Sequence, residues 1–227
     1  MIAALFDFDG TLYTGHVWQD LVRHHWNAGV HRRWVAAYLV RNMAPVPLYR
    51  LGLVSQTALF CGWAETMAWL LRGWTLQEAQ DLFDQLTDER IMPNLRPHVL
   101  ERLRFHQGQE HQVVLLSGTF APWLNTVAQR LTIPHAVGTR LQILDGRYTG
   151  RIVPPLCQGE GKASRVEAYF SGLGVEIDWP ASHAYADRIS DIHLLNKVGH
   201  PVAVYPDKAL QVEAQARNWS TIAEASP

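Results

Sequence analysis

Cysteine is scarce in this sequence, and long hydrophobic runs are missing. The 227 residues include only Cys61 and Cys157, which lie too far apart for a CxxC pair, so neither a zinc site nor a disulfide framework is indicated. The longest strictly apolar run covers residues 34–40, far fewer than the roughly 20 residues that span a bilayer. A basic secretory leader is also missing. We therefore expect a soluble, cytoplasmic protein without a transmembrane segment.

Neither sign of charge dominates. Twenty Lys and Arg residues oppose 21 Asp and Glu residues, which gives a net charge of -1 and a pI near 6.8. This balance offers no general attraction to nucleic acid. With 48% hydrophobic and 18% charged residues, the composition is typical of a globular protein with one substantial core. We expect no nucleic-acid partner; the oligomeric state is left open.

Two sequence patterns divide the chain. Residues 2–6 form a short apolar run, typical of a central strand in a parallel sheet. Residues 16–89 have helical spacing almost throughout, with a capping box at Thr75 and Glu78 and breaks between residues 45 and 52. This block predicts several consecutive helices.

From residue 97 onward, predicted strands and helices alternate. The predicted helices cover 97–106, 122–131, 162–170, 191–198 and 208–216; the predicted strands cover 113–116, 183–186 and 202–205, with a hairpin over 141–149 around Asp145-Gly146. Alternation of this kind predicts a parallel sheet. The expected fold is an α/β, Rossmann-like parallel core made of residues 1–13 and 90–227. An all-helical cap subdomain, residues 14–89, is inserted after the first strand.

Unusual polar residues follow four predicted strands or begin a helix. They are Asp7 and Asp9, Ser117-Gly118-Thr119, Gly159-Glu160-Gly161-Lys162, and Asp187 with Asp191. The ligand site of an open α/β sheet lies at the carboxyl ends of its strands, so these groups should meet. Two carboxylates about 4 Å apart repel by about 4 kcal/mol at an effective dielectric of about 20. A hard cation would relieve that repulsion, and oxygen-only ligands favour Mg²⁺.

The other residues suggest an anion site beside this cation. A hydroxyl, backbone N–H groups in a glycine-containing turn and a lysine at a helix N-terminus are suited to bind phosphate. A metal next to an anion site predicts phosphate chemistry. Considered singly, each motif has a simpler interpretation: a polar turn for residues 7–11, a helix N-cap for residues 117–119 and a solvated surface lysine for Lys162.

Taken together, the motifs resemble those of the haloacid dehalogenase superfamily of phosphohydrolases. Asp7-Phe8-Asp9-Gly10-Thr11 is similar to the first motif, Ser117-Gly118-Thr119 to the second, Lys162 to the third and Asp187-Arg188-Ile189-Ser190-Asp191 to the fourth. A helical insertion just after the first motif resembles the cap of the phosphoserine-phosphatase-like subclass. The resemblance covers nearly the whole chain.

The resemblance implies a role for each site residue. Asp7 is then the nucleophile that forms an aspartyl-phosphate, and Asp9 is the general acid and base. Asp7, the backbone carbonyl of Asp9 and Asp187 are implied as Mg²⁺ ligands, with Asp191 holding metal-bound water. Ser117, the Gly118 N–H and Lys162 are implied to bind the phosphoryl oxygens. The acid at position 9 favours a phosphatase or phosphomutase over a dehalogenase or a P-type ATPase.

Two positions depart from the family pattern. Arg188 stands where a small hydroxyl residue is common, and it either contacts phosphate or points to solvent. His16 stands where phosphoserine phosphatases carry a substrate-binding Glu, which disfavours phosphoserine as the substrate. We expect His16 to be a substrate-contact candidate and most other histidines to be structural or exposed.

The predicted cap is basic and partly apolar. Residues 14–50 hold five arginines and one acid, Asp20, a balance of +4. Residues 42–64 carry only Arg50 as a charge and are rich in large apolar side chains, among them Val54, Leu59 and Phe60. One interpretation is a surface that accepts an amphiphilic phosphoester or contacts an anionic membrane. The other is the packed interior of a helical bundle.

The function favoured by these patterns is a Mg²⁺-dependent phosphatase acting on a small phosphorylated, possibly amphiphilic, substrate. A phosphomutase or phosphotransferase of the same superfamily is an alternative. A non-catalytic binder of a phosphoryl ligand or a membrane surface is another.

Overall fold

The computed structural model describes residues 1–53, 62–63 and 65–223. In this part of the chain, seven strands form one sheet in the order β4-β3-β2-β1-β5-β6-β7. The strands are β1 (Ala3–Asp7), β2 (Gln112–Phe120), β3 (His135–Leu144), β4 (Arg147–Val153), β5 (His183–Ala186), β6 (His200–Val204) and β7 (Ser220–Ile222). All neighbours pair in parallel except β3 and β4, which form an antiparallel hairpin. The predicted α/β class with a mainly parallel sheet is confirmed.

Helices cover both faces of the sheet and form the inserted segment. They are α1 (Val17–Ala28), α2 (Arg32–Met43), α3 (Val46–Arg50), α4 (Leu76–Leu86), α5 (Pro97–Gly108), α6 (Ala121–Arg130), α7 (Glu160–Gly172), α8 (Ile192–Leu195) and α9 (Lys208–Ala216). Among the residues described, no helix has both the length and the apolar character needed to cross a membrane.

The central strand β1 is buried along its whole length. Ala4 and Phe6 belong to the apolar cluster on one face of the sheet, whereas Ala3 and Leu5 belong to the cluster on the other. Successive side chains of a strand point to opposite faces, so a strand covered on both sides must be apolar at every position. The first charged side chain, Asp7, therefore comes where the strand reaches the sheet edge.

The inserted helices share their core with the sheet. Phe6 and Leu115 of the sheet lie in the same buried cluster as Leu21, Val35 and Leu70 of the helical segment. The helices are therefore held against the sheet by continuous apolar packing. The division into a core and a cap at residues 13 and 90 stays a prediction.

Helix α4 begins at the predicted capping box. The Glu78 N–H donates to Thr75 Oγ1 (3.1 Å), and the Thr75 N–H donates to Glu78 Oε2 (2.8 Å), so two of the free amides at the helix start are satisfied. Its buried face includes Phe83, which stacks on Trp123 of α6 with ring centroids 5.2 Å apart. Although α4 falls within the predicted cap, it packs against a helix of the core.

The two chain segments that enter and leave the insertion run side by side. The Thr14 N–H donates to the Asn94 carbonyl (3.1 Å), and the Arg96 N–H donates to the Leu12 carbonyl (2.9 Å). The insertion is thus closed at its base by backbone hydrogen bonds.

Several predicted boundaries were wrong. Strand β2 continues to Phe120 rather than ending at residue 116, and the predicted helix over 191–198 is reduced to α8 after a 3₁₀ turn. The N-cap interpretation of residues 117–119 is also wrong, because α6 begins at Ala121. Strand β3 extends back to His135 along β2, and β7 was not predicted because three residues carry no periodic signal.

Candidate active site

Polar side chains meet at the carboxyl ends of the parallel strands. Asp7 is the last residue of β1, Ser117 and Gly118 lie near the end of β2, and Lys162 is in the first turn of α7. A cavity of about 330 Å³ at this edge is lined by every residue proposed from the sequence: Asp7, Asp9, His16, Ser117, Gly118, Lys162, Asp187 and Asp191. The structure therefore brings the four motifs together.

Lys162 links two of the carboxylates. Its Nζ donates to Asp7 Oδ1 (2.6 Å) and to Asp191 Oδ2 (2.8 Å), and all three side chains are buried. An isolated buried ammonium would be strongly unfavourable, so both carboxylates are needed to hold it charged. The interpretation of Lys162 as a solvated surface lysine is wrong.

Thr11 and Gly10 hold Asp7 and Asp187 close together. The Thr11 hydroxyl lies 3.1 Å from Asp7 Oδ2 and 3.2 Å from Asp187 Oδ1; its single hydrogen can serve only one of them at a time. Gly10 has φ +86°, and a Cβ there would clash with the Asp187 carboxylate. Only glycine permits this left-handed turn while letting Asp187 approach.

Asp9 is held at the junction of three segments. Its Oδ1 accepts from the Val17 N–H at the start of α1 (2.8 Å), and its Oδ2 accepts from Thr119 Oγ1 (2.9 Å) and Ser117 Oγ (3.3 Å). The first free amides of a helix favour a negative charge. The Asp9 side chain thus points towards the start of α1 and the end of β2.

The carboxylates of this site are crowded. Burial, followed by the nearby Asp7 charge, raises the pKa of Asp187 to about 8. Burial raises the pKa of Asp191 to about 6, although Lys162 opposes this effect. Burial also raises the pKa of Asp9, against the hydrogen bond from Val17. Burial alone would lower the pKa of Lys162, but the Asp191 and Asp7 carboxylates outweigh it and raise the pKa above its ordinary value.

The donor set suits a hard divalent cation. Asp7, Asp187 and Asp191 present oxygen atoms only, and the two positive charges beside them, on Lys162 and Arg188, do not balance three carboxylates. Among the residues described, no cluster of three or more His, Cys, Asp or Glu side chains has the spacing of a finished metal site. The expected ligand set, in which Asp9 contributes its backbone carbonyl, stays a prediction. The chemistry of these oxygen donors fits Mg²⁺.

The opposite wall of the cavity comes from the helical insertion and is largely apolar. Its apolar residues are Val17, Trp18, Tyr38, Trp63 and Met67, and Gln19 is a polar residue on the same wall. Trp18 and Trp63 form an edge-to-face pair with centroids 5.4 Å apart. Tyr38 is 1% exposed, and its hydroxyl has no hydrogen-bond partner in the part of the chain that the structure describes.

His16 and Arg188 meet at the boundary between these two walls. Arg188 Nη2 lies 3.4 Å from His16 Nε2, and Arg188 Nε donates to Asp187 Oδ2 (3.4 Å). Both residues line the cavity. The interpretation of Arg188 as a group that only points to solvent is therefore wrong.

The match to a protein family covers all of these residues. A family model described as haloacid dehalogenase-like hydrolase matches residues 4–196, most of the chain. The chain belongs to the haloacid dehalogenase-like hydrolase family. The match begins in β1 and ends just after α8, so it includes all four motifs.

Curated relatives of this hydrolase include two proteins of Mycobacterium tuberculosis. A probable phosphatase is 29% identical over 157 residues, 68% of this chain and 53% of that protein. Phosphoserine phosphatase SerB1 is 29% identical over 221 residues, 96% of this chain and 69% of that protein. The hydrolase thus matches about half the length of the first and about two thirds of the second.

Solved structures share the fold. A protein of unknown function from Bordetella pertussis Tohama I matches with a TM-score of 0.83 and 25% identity, covering 98% of this chain and 99% of that one. A phospho-aspartyl intermediate analogue of phosphoserine phosphatase matches with a TM-score of 0.62 and 18% identity, covering 99% and 93%. At such identity the second match shows the fold alone.

Sequence reasoning assigned no function to several residues that build this candidate site. Thr11 and Thr119 lie inside the quoted motifs, and their positions next to the acids were the available signal. The cap wall residues Trp18, Tyr38 and Met67 have ordinary helical spacing in the sequence, which does not distinguish a cavity wall from a packed core.

Proposed function

We propose that this haloacid dehalogenase-like hydrolase is a Mg²⁺-dependent phosphatase that cleaves a small phosphomonoester through an aspartyl-phosphate on Asp7. The observation that carries the proposal is the buried contact of Asp7 Oδ1 with Lys162 Nζ at 2.6 Å, at the cavity edge that also holds Ser117 and Asp9. A carboxylate nucleophile, a fixed cation and a proton carrier on one cavity are the parts that phosphoryl transfer to an aspartate requires.

In the first step, an Asp7 carboxylate oxygen bonds to phosphorus and the bond from phosphorus to the leaving oxygen breaks. Asp9 gives its proton to that oxygen, which leaves as the alcohol. The raised pKa of Asp9 favours the protonated form that this step needs. Lys162, the Ser117 hydroxyl and the Gly118 N–H offset the negative charge on the phosphoryl oxygens.

In the second step, Asp9 removes a proton from water as the water oxygen bonds to phosphorus. The bond between phosphorus and Asp7 breaks, which releases inorganic phosphate and restores both carboxyl groups. Asp7, Asp187 and the Asp9 carbonyl would hold Mg²⁺, with Asp191 binding water on the ion, and Mg²⁺ would supply positive charge next to the phosphoryl group.

The cavity wall that the helical insertion contributes favours a substrate whose leaving group is largely apolar. Trp18, Tyr38, Trp63 and Met67 offer aromatic and apolar contacts, and among the described residues the insertion places no Asp or Glu on this wall. Phosphoserine and histidinol phosphate nevertheless belong among the tested substrates, because relatives carry the names phosphoserine phosphatase and histidinol-phosphatase. A monoacyl glycerol phosphate represents the amphiphilic class.

The test is release of inorganic phosphate from these esters and from p-nitrophenyl phosphate, with Mg²⁺ and with a chelator. We expect hydrolysis only with Mg²⁺ and a higher kcat/KM for an apolar ester than for phosphoserine. Transfer of the phosphoryl group to an added alcohol in preference to water would indicate a phosphotransferase instead. If no ester is cleaved with Mg²⁺ present, the proposed function is wrong.

A further inference from the structure

Exposed apolar side chains and arginines are interspersed at the end of α2, along α3 and just after it. We call this the 40–53 surface; it consists of Val40, Arg41, Met43, Leu48, Tyr49, Arg50, Leu51 and Leu53. Its apolar members range from 38% exposed at Tyr49 to 72% at Leu51 and Leu53. The interpretation of this stretch as a packed bundle interior is therefore wrong for these residues, while Val54, Leu59 and Phe60 lie outside the described residues.

The backbone beneath these side chains is regular. The Tyr49 N–H donates to the Pro45 carbonyl (2.9 Å), and the Leu53 N–H donates to the Leu48 carbonyl (2.9 Å). Yet α3 has no buried residue. A helix with apolar side chains and no buried face gains little stability from packing against the rest of the chain. Such exposure of apolar area in a globular protein indicates an interaction surface.

The charged residues of the chain segment that carries this surface have one sign. Residues 21–53 contain five arginines (Arg23, Arg32, Arg33, Arg41 and Arg50) and no Asp or Glu, although the whole chain has a net charge of -1. A segment this basic in an otherwise balanced protein is complementary to an anionic partner.

We propose that the 40–53 surface docks onto an anionic lipid bilayer. Its aliphatic side chains and Tyr49 would enter the head-group region, while Arg41 and Arg50 approach lipid phosphates. Apolar side chains mixed with arginines meet both requirements of interfacial binding, namely burial of apolar area and attraction to anionic lipid. Helix α2 thus contributes Tyr38 to the wall of the cavity and Val40 and Met43 to the exposed surface.

Co-sedimentation of the full chain with vesicles tests this proposal without using enzyme activity. We expect binding to phosphatidylcholine vesicles that contain about 30 mol% phosphatidylglycerol and little binding to phosphatidylcholine alone, because the attraction is partly electrostatic. Raising the salt concentration should weaken the binding, since salt screens charges.

Two pairs of substitutions separate the apolar and the charged contributions. Leu51→Ser with Leu53→Ser and, separately, Arg41→Ala with Arg50→Ala should each lower the vesicle partition coefficient about tenfold or more. The matched controls use exposed residues elsewhere: Leu144→Ser with Val212→Ser, and Arg104→Ala with Arg151→Ala. Each control pair should leave binding unchanged, and circular dichroism should show that all variants are folded.

Three outcomes would overturn the proposal. The first is an absence of binding to anionic vesicles, and the second is binding that neither pair of substitutions on the 40–53 surface weakens. The third is self-association without lipid that Leu51→Ser with Leu53→Ser abolishes, together with no vesicle binding; a second copy of the chain would then cover the surface. None of these results depends on whether the protein is a phosphatase.

Discussion

The two ends of the sheet bury titratable side chains in opposite ways. At the carboxyl ends of the strands, Lys162 lies between Asp7 and Asp191 and is held charged. At the amino ends, His106 contacts His111 Nδ1 (2.8 Å) and the Tyr185 hydroxyl (2.8 Å), and no carboxylate is among the groups that shift its pKa.

This difference has a direct effect on protonation. Burial, followed by the nearby His183 and His111, lowers the pKa of His106 to about 3, whereas carboxylates raise the pKa of Lys162 despite its burial. Burial always penalises the charged form, so a partner of opposite charge decides whether a buried group stays ionised. A reaction that needs a buried charged side chain is therefore expected at the carboxyl ends of the strands and not at their amino ends.

The largest expected effect comes from removing the nucleophile. Asp7→Asn should reduce kcat/KM for phosphoester hydrolysis by about 10⁴-fold or more, because the amide cannot form the aspartyl-phosphate. Steady-state kinetics on the best ester measures this loss. Asp145→Asn, at the exposed hairpin turn, makes the same chemical change away from the site and should keep full activity. Retention of more than a few per cent of activity by Asp7→Asn would exclude Asp7 as the nucleophile.

Removing the Lys162 ammonium group should destabilise the site at the carboxyl ends of the strands. Lys162→Met leaves the Asp7 and Asp191 carboxylates without their shared partner, and we expect a loss of about 3–5 kcal/mol in the free energy of unfolding. Urea denaturation near neutral pH measures it. Lys208→Met, at an exposed position, should change stability by less than about 0.5 kcal/mol. Equal free energies of unfolding for the two variants would contradict the view that the Lys162 charge offsets the Asp7 and Asp191 carboxylates.

A pair of glycine substitutions separates backbone strain from crowding by Asp187. Gly10 and Gly146 both have positive φ, +86° and +72°, but a Cβ meets Asp187 at Gly10 and nothing within 4 Å at Gly146. Gly10→Ala should cost about 2–3 kcal/mol and Gly146→Ala about 1 kcal/mol in unfolding free energy. Similar costs in urea denaturation would mean that Asp187 moves aside freely.

The smallest expected effect is on the pH dependence of the free energy of unfolding, through His106 at the amino ends of the strands. Below about pH 6.5 the unfolded chain protonates the histidine at position 106, whereas the folded chain keeps it neutral, so its contribution to stability falls as the pH drops towards its folded pKa of about 3. The cost of His106→Gln should therefore shrink by up to about 2 kcal/mol between about pH 7 and about pH 5. Urea denaturation at both values measures it. The exposed His98→Gln on the same helix is the control, and an identical pH dependence for the two variants would contradict the prediction.

The α/β order, the hairpin turn and the capping box could be read from the sequence because each depends on local periodicity or turn chemistry. The meeting of Asp7, Lys162 and Asp187 was also predictable, since parallel strands bring their carboxyl ends to one edge. Their roles in catalysis stay predictions. The length of β2 was missed because Ser117, Gly118 and Thr119 are turn-forming residues that long-range contacts with Asp9 and β3 hold extended.

The exposure of the 40–53 surface was beyond prediction for a different reason. Apolar residues in a helical block are usually buried, and only the three-dimensional packing shows that Val35 lies inside while Val40 of the same helix is 71% exposed. The sequence is compatible with both a packed interior and an exposed interaction surface, and only the three-dimensional packing distinguishes them.

The hydrogen bonds that tie Leu12 to Arg96 and Thr14 to Asn94 hold the two ends of the long insertion side by side in the folded protein. The entropy cost of closing a loop grows only slowly with the number of residues in it, so a longer or shorter insertion would change that cost by little. A change in the length of the insertion should therefore leave the register of β1 against β2 intact, as long as the apolar face that packs against the sheet is kept. The carboxylates at the sheet edge and the apolar wall of the cavity thus come from chain segments whose lengths can vary independently.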